Sequence, residues 1–120
     1  MITNEKIYNI GLIGKVLKIY CPEMGNYRIF KYLRDNHILI LKGNGCIKGH
    51  IPCYKYHEYF HVKEFTTIYD GDKNIILHKT YFNEDGLVWF LNRLIKEGYI
   101  QAKDLDQIIM EISKECGEEW

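Results

Sequence analysis

Arg28, Lys31 and Arg34 stand three apart in the segment Met24 to Leu39, interleaved with Ile29, Phe30 and Leu33. In a 3.6-residue helix the three apolar side chains share one side and the cations point elsewhere, with Asn26 placed to cap the start. A wet, cationic helix side is suited to neutralising phosphates and reaching base edges in the major groove of duplex DNA. The same charges also serve, in any helix, simply to solvate a face.

A second constellation is Cys46, His50, Cys53, His57 and His61, spaced CxxxHxxCxxxHxxxH. Cys and His are zinc ligands, but structural zinc sites join closely paired ligands across a longer loop, and this run lacks that spacing. Without a metal, the cysteines are small apolar fillers and the histidines belong to a partly exposed strand and loop. That second reading is preferred, and no metal or cofactor is expected. Catalytic signatures are missing as well: there is no hydrolase elbow, kinase set or HExxH. GNG at Gly43 to Gly45 has neither the third spaced glycine nor the GK[ST] of a phosphate loop. The chain reads as a binding protein and not as an enzyme.

The bulk properties agree with one ordinary domain: 120 residues, 47% hydrophobic and 27% charged. No apolar run reaches the roughly 18 residues of a membrane span, and no basic-then-apolar leader opens the chain. A cytoplasmic protein is expected, that of a bacterial host if a phage encodes it. Its cysteines Cys21, Cys46, Cys53 and Cys116 form no CxxC pair and are expected to be reduced. Sixteen cations balance sixteen anions, which argues against indiscriminate polyanion binding. The distribution is uneven, with eight Lys or Arg against three Asp or Glu in residues 1–50, and two against six in residues 101–120. A basic first half suits nucleic acid, and an acidic end suits solvent, a protein partner or the basic half of a second copy.

The elements that must position these side chains follow from periodicity and punctuation. Ile10, Ile13, Val16 and Leu17 predict a first helix over Ile7 to Ile19, capped by Asn4 or Asn9. Pro22 and Gly25 then break it sharply enough for a two-helix turn, and the second helix runs from Asn26 to Asn36. The stretch from His37 to Pro52 predicts a strand leading into a flexible glycine loop. Between Tyr54 and Tyr81 the pattern becomes a long hairpin, with Asp70-Gly71 supplying turn chemistry. Asn83 caps a third helix with Leu87, Phe90, Leu91, Leu94 and Ile95 as its stripe, closed by Gly98. In the last helix Asp104 and Gln107 form an acidic capping box, and Leu105, Ile108, Ile109, Ile112 and Cys116 form one apolar face. That order is α+β: a winged helix-turn-helix with a long β-hairpin wing over residues 1–98, then an acidic amphipathic helix over 99–120. This last helix packs on the domain or pairs two copies through Leu105, Ile108, Ile109 and Ile112.

The chain resembles the C-terminal domain of phage antirepressors, the KilAC family. Ile10-Gly11-Leu12-Ile13-Gly14-Lys15-Val16-Leu17 is similar to the family's I-G-x-x-A-K-x-L, with Gly14 in the alanine position. Phe30-Lys31-Tyr32-Leu33-Arg34-Asp35-Asn36 follows its aromatic-Leu-Arg core, and His37 stands where glycine is usual. Pro52 with Tyr54, Tyr56 and Phe60-His61-Val62-Lys63-Glu64 looks like the family's proline and F-x-V-K-E, and Asn83-Glu84-Asp85-Gly86 looks like its T-x-x-G helix start. The resemblance covers roughly residues 9 to 97.

It implies a phage or prophage regulatory protein that binds DNA, engages a repressor, or both. On that reading Lys15 and Lys18 of the first helix, Asn26, Tyr27, Arg28, Lys31 and Arg34 of the second, and Lys63, Lys73 and Lys79 of the wing meet the DNA. The alternative is a stand-alone inhibitor of a host defence protein, of the anti-CRISPR kind, acting through a protein interface.

Overall fold

The computed structural model describes residues 5–25, 27–44, 47–69 and 73–120, and the side chains among these except at 42–44, 47, 48, 67–69 and 73–75. The fold is α+β. In chain order it runs β1 (Lys6–Asn9), α1 (Ile10–Tyr20), α2 (Arg28–Asp35), β2 (Leu39–Asn44), β3 (Ile47–Pro52), β4 (Phe60–Tyr69), β5 (Lys73–Asn83), α3 (Glu84–Lys96), α4 (Leu105–Cys116) and β6 (Gly117–Glu119). Short 3-10 turns sit at Pro22–Met24, Tyr54–Tyr59 and Ala102–Asp104.

β5 organises the sheet. β4 pairs with it antiparallel over its length, from Phe60 opposite Phe82 to Tyr69 opposite Lys73. Its other edge is shared: β3 runs parallel to it from Ile47 to Gly49 against Ile76 to His78, and β1 runs antiparallel against Tyr81 to Asn83. β2 extends the sheet beyond β3, and β6 extends it beyond β1. Residues directly opposite in a ladder face the same way and successive ones alternate. Phe60, Phe82 and Tyr8 therefore face the core, together with Ile13, Leu17, Leu33, Phe90, Leu91, Leu94, Ile108 and Ile112 from the four helices. Phe82 is stacked between Phe60 and Phe90, with ring centroids 4.6 and 5.0 Å away. His61, Tyr81, Lys63, Lys79, Phe65 and Leu77 alternate onto the outer side.

Several local expectations hold. Asn9 caps α1, its Oδ1 accepting from Leu12 N at 3.1 Å, and Asn83 caps α3, its Oδ1 accepting from Gly86 N at 2.7 Å. Pro22 opens a 3-10 turn immediately after α1, which cannot continue through it. α3 closes with Gly98 at φ +84°, Gly98 N donating to Ile95 O and Tyr99 N to Leu94 O. That is the paired-bond helix ending in which a left-handed residue satisfies the last carbonyls.

α2 ends the same way, but with His37 at φ +57°: His37 N donates to Arg34 O and Ile38 N to Leu33 O. A β-carbon is unfavourable in this region, which accounts for glycine being usual there in the resembling family. His37→Gly is expected to stabilise the fold by about 0.5–1 kcal/mol, the relief of left-handed strain less the entropy glycine gains when unfolded. A higher urea midpoint at unchanged m-value is the measurement that checks it.

Other expectations are corrected. Ile7 to Asn9 is strand and not the first turn of α1, because β5 and β6 both offer it ladder partners. The stretch after Gly45 is not a flexible loop throughout: Ile47–Pro52 is β3, held by β2 on one side and β5 on the other. Asp104 makes no side-chain cap to α4, and Gln107 turns to Glu111 instead, its Nε2 donating to Oε1 at 3.0 Å. α2 begins at Arg28, preceded by Tyr27 with no side-chain cap, and ends at Asp35; Asn26 lies outside the described residues. Asp70 and Gly71 lie outside them too. Apart from these corrections, α4 buries Ile108, Ile112 and Cys116 and packs along α1. Among the described residues no helix is long and apolar enough to cross a membrane.

Candidate nucleic-acid interface

α2 sits between the core and solvent as its pattern requires. Ile29, Tyr32 and Leu33 are buried, while Tyr27, Arg28, Lys31 and Asp35 are exposed, Tyr27 by 84%. Two tethers hold it. Tyr32 Oη donates to Glu97 Oε1 at 2.6 Å and accepts from Arg93 Nε at 3.0 Å, which ties α2 to α3. Burial, with Glu97 as acceptor, pushes the Tyr32 hydroxyl up to about 12. Tyr32 thus stays a neutral hydrogen-bond donor at physiological pH. On the other side Arg34 Nη1 lies 2.9 Å from His50 Nε2, and Phe30 stacks on that imidazole at 4.7 Å, which ties α2 to β3. Burial and then the Arg34 charge lower the His50 pKa, in keeping with a neutral ring accepting from the guanidinium.

The cations of the helices therefore differ in freedom. Arg28 is exposed. Lys31 pairs with Asp35 one turn on, Nζ to Oδ2 2.7 Å, but both side chains are largely in water, and the lysine lowers the Asp35 pKa. Such an exposed pair exchanges easily for a phosphate contact. Arg34 is partly covered and committed to His50. From α1, Lys15 shares a shallow groove with Asn9, Gly11, Leu12 and Tyr27, and the Lys18 stem lies over Gly25. Lys15, Lys18, Tyr27, Arg28 and Lys31 thus surround the turn between the two helices. Acids are interspersed: Glu23 and Asp35 line the hollow with Arg28 and Lys31, and Glu111 and Glu115 line one with Lys15.

The hairpin cations are elsewhere. Lys63 and Lys79 face each other on the outer side of the sheet, the side away from all four helices. Lys73 begins β5, with its side chain outside the described residues. The described side chains of the sequence-predicted set are therefore divided between two surfaces. The cysteine and histidine run disperses: His50 serves Arg34, His57 Nδ1 contacts Tyr54 O at 2.7 Å, and His61 lies against Glu5 and Trp120. Cys46 is outside the described residues, and among those described no three metal-ligating side chains gather. The described cysteines Cys21, Cys53 and Cys116 are free thiols; burial first pushes Cys21 and Cys116 each up to about 11, so both stay protonated fillers.

Sequence reasoning missed Phe65, Leu77, His61 and Trp120 as partners of the hairpin lysines. The first three were visible in the period-two alternation of β4 and β5, since every second residue shares a side. Trp120 was not, because its place depends on β6 returning to β1, with Trp120 N donating to Glu5 O at 2.8 Å.

Fold and surface together define an α+β domain with cations gathered around a two-helix turn and again on an open sheet face. The profile of the phage antirepressor protein KilAC domain matches residues 1–97, and the chain belongs to that family. Membership assigns it to phage regulation. Neither the curated proteins nor the solved structures compared with it gave a match.

Proposed function

We propose that this protein is a phage regulator of antirepressor type that grips duplex DNA through a winged helix-turn-helix. α1 and α2 are the two helices, and the β4–β5 hairpin is the wing, with Lys73 opposite Tyr69. One observation carries the reading: Arg28 and Lys31 sit on the wet side of α2, flanked by Tyr27, Lys15 and Lys18. Arg34 acts mainly by fixing α2 on β3 through His50.

Arg28→Ala and Lys31→Ala are each expected to weaken binding to duplex DNA about equally across sequences and to flatten the salt slope by about 1. Fluorescence anisotropy from 50 to 200 mM salt measures both effects. Failure to bind duplex at the low end sinks this reading.

A second reading rests on the acids among those cations and on the exposure of Tyr27 and Ile19. A mixed, aromatic surface of that kind suits a protein partner, either a phage repressor or a host defence protein. Capture of such a partner, undiminished by Lys31→Ala and with DNA dispensable, favours it over the first.

A further inference from the structure

The outer side of the hairpin contains an arrangement that costs stability. Lys63 and Lys79 are directly opposite in the ladder, where like charges repel. Both ammonium groups converge on one ring, 5.4 and 5.5 Å from the centroid of Tyr81. Among the described residues no carboxylate lies within 4.0 Å of either.

Their neighbours along the ladder are apolar and aromatic. On one side Phe65 faces Leu77, and these are 44% and 39% exposed. On the other, His61 faces Tyr81, and the indole of Trp120 stacks on His61 at 4.4 Å while remaining 52% exposed. Lys63 also lies 5.8 Å from the Trp120 ring. Underneath, Ile7 and Tyr81 are 0% and 3% exposed although they face away from the helices, so this side has a firm floor of its own. The acids of this side stand at its β1–β6 end: Glu5, 2.9 Å from His61 Nε2 without hydrogen-bond alignment, and Glu118, opposite Ile7.

We propose that this face binds single-stranded nucleic acid, with phosphates between Lys63 and Lys79 and bases laid on Phe65 and Trp120. The charge defines an anion, and the flanking rings define a partner with flat apolar faces. Stacking platforms combined with lysines are how single strands are held without base readout. A duplex offers phosphates but hides its base faces, and an acidic peptide would answer the lysines while leaving the rings unmatched. Successive pairs on one side of a strand lie about 6.8 Å apart, so one strand can touch cation and ring in turn.

The experiment is an anisotropy titration of a fluorescein-labelled ten-nucleotide oligo(dT) against the whole chain at 50 mM salt. Lys63→Gln/Lys79→Gln is expected to weaken binding by about tenfold or more and to flatten the salt slope by about 1.4, at about 0.7 for each phosphate no longer neutralised. Phe65→Ala is expected to weaken it by about fivefold or more. The loss caused by Lys63→Gln/Lys79→Gln should be the same in a Lys31→Ala background, which separates this site from the helical one. Thermal unfolding is the control for folding: the double glutamine variant should melt no lower than the parent, because it removes a repulsion. Unaltered oligo(dT) binding in that variant overturns the proposal. So does equal competition by same-length duplex, or by polyglutamate, the latter pointing to an acidic protein partner.

Discussion

Phe82→Ala is expected to cost about 3–5 kcal/mol, the range for emptying a fully buried aromatic site. Phe82 is where the sheet meets the helices. Its ring lies between Phe60 of β4 and Phe90 of α3, and its backbone pairs with both Phe60 and Tyr8. Truncation leaves a hole bordered by three elements that are fixed by their own hydrogen bonds and cannot all collapse into it. Domains of this size are stable by only about 5–15 kcal/mol, so the variant should unfold at a much lower urea midpoint. A loss below about 1 kcal/mol would mean that the rings are not packed as described.

Gly49→Ala is expected to cost about 3 kcal/mol or more, through strain and not through a cavity. Gly49 sits at φ +132°, and a β-carbon there would run into the carbonyl oxygen of His78. The parallel contact of β3 with β5 would have to open. Next along, His50 anchors Arg34 and Phe30, and its carbonyl accepts from the Thr80 hydroxyl. The variant should therefore lose duplex binding together with stability, although no residue of α2 has changed. Urea denaturation and the duplex titration, run on the same preparation, measure the two losses. A variant as stable as the parent would rule out the close approach of the two strands.

Legibility in the sequence followed the range of the interaction. α3 is readable from Asn83 to Gly98 because its cap, stripe and closing glycine lie within sixteen residues, and the β4–β5 hairpin because its ladder partners are close in sequence. Ile7 to Asn9 continues the apolar spacing of α1 and yields to strand only because Tyr81 to Asn83 and Gly117 to Glu119 come to flank it. No local signal announces partners that distant. β3 was obscured in the same way: its glycines suggest a loop, and its place depends on His78 lying against Gly49.

The candidate site was readable in parts. Exposure of Arg28 and Lys31 follows from helical period alone. The commitment of Arg34 to His50 does not, since it requires knowing that β3 passes beside α2. Nor could charge counting assign Lys63 and Lys79 to a different surface from Lys31. That division comes from the alternation in β4 and from all four helices packing on one side of the sheet.

The meeting of β6 with β1 has a practical corollary. Glu5 and Trp120 are hydrogen-bonded neighbours, so the first and last described residues meet at a single corner of the domain. A label on either residue reports on the same rim, next to the indole of Trp120.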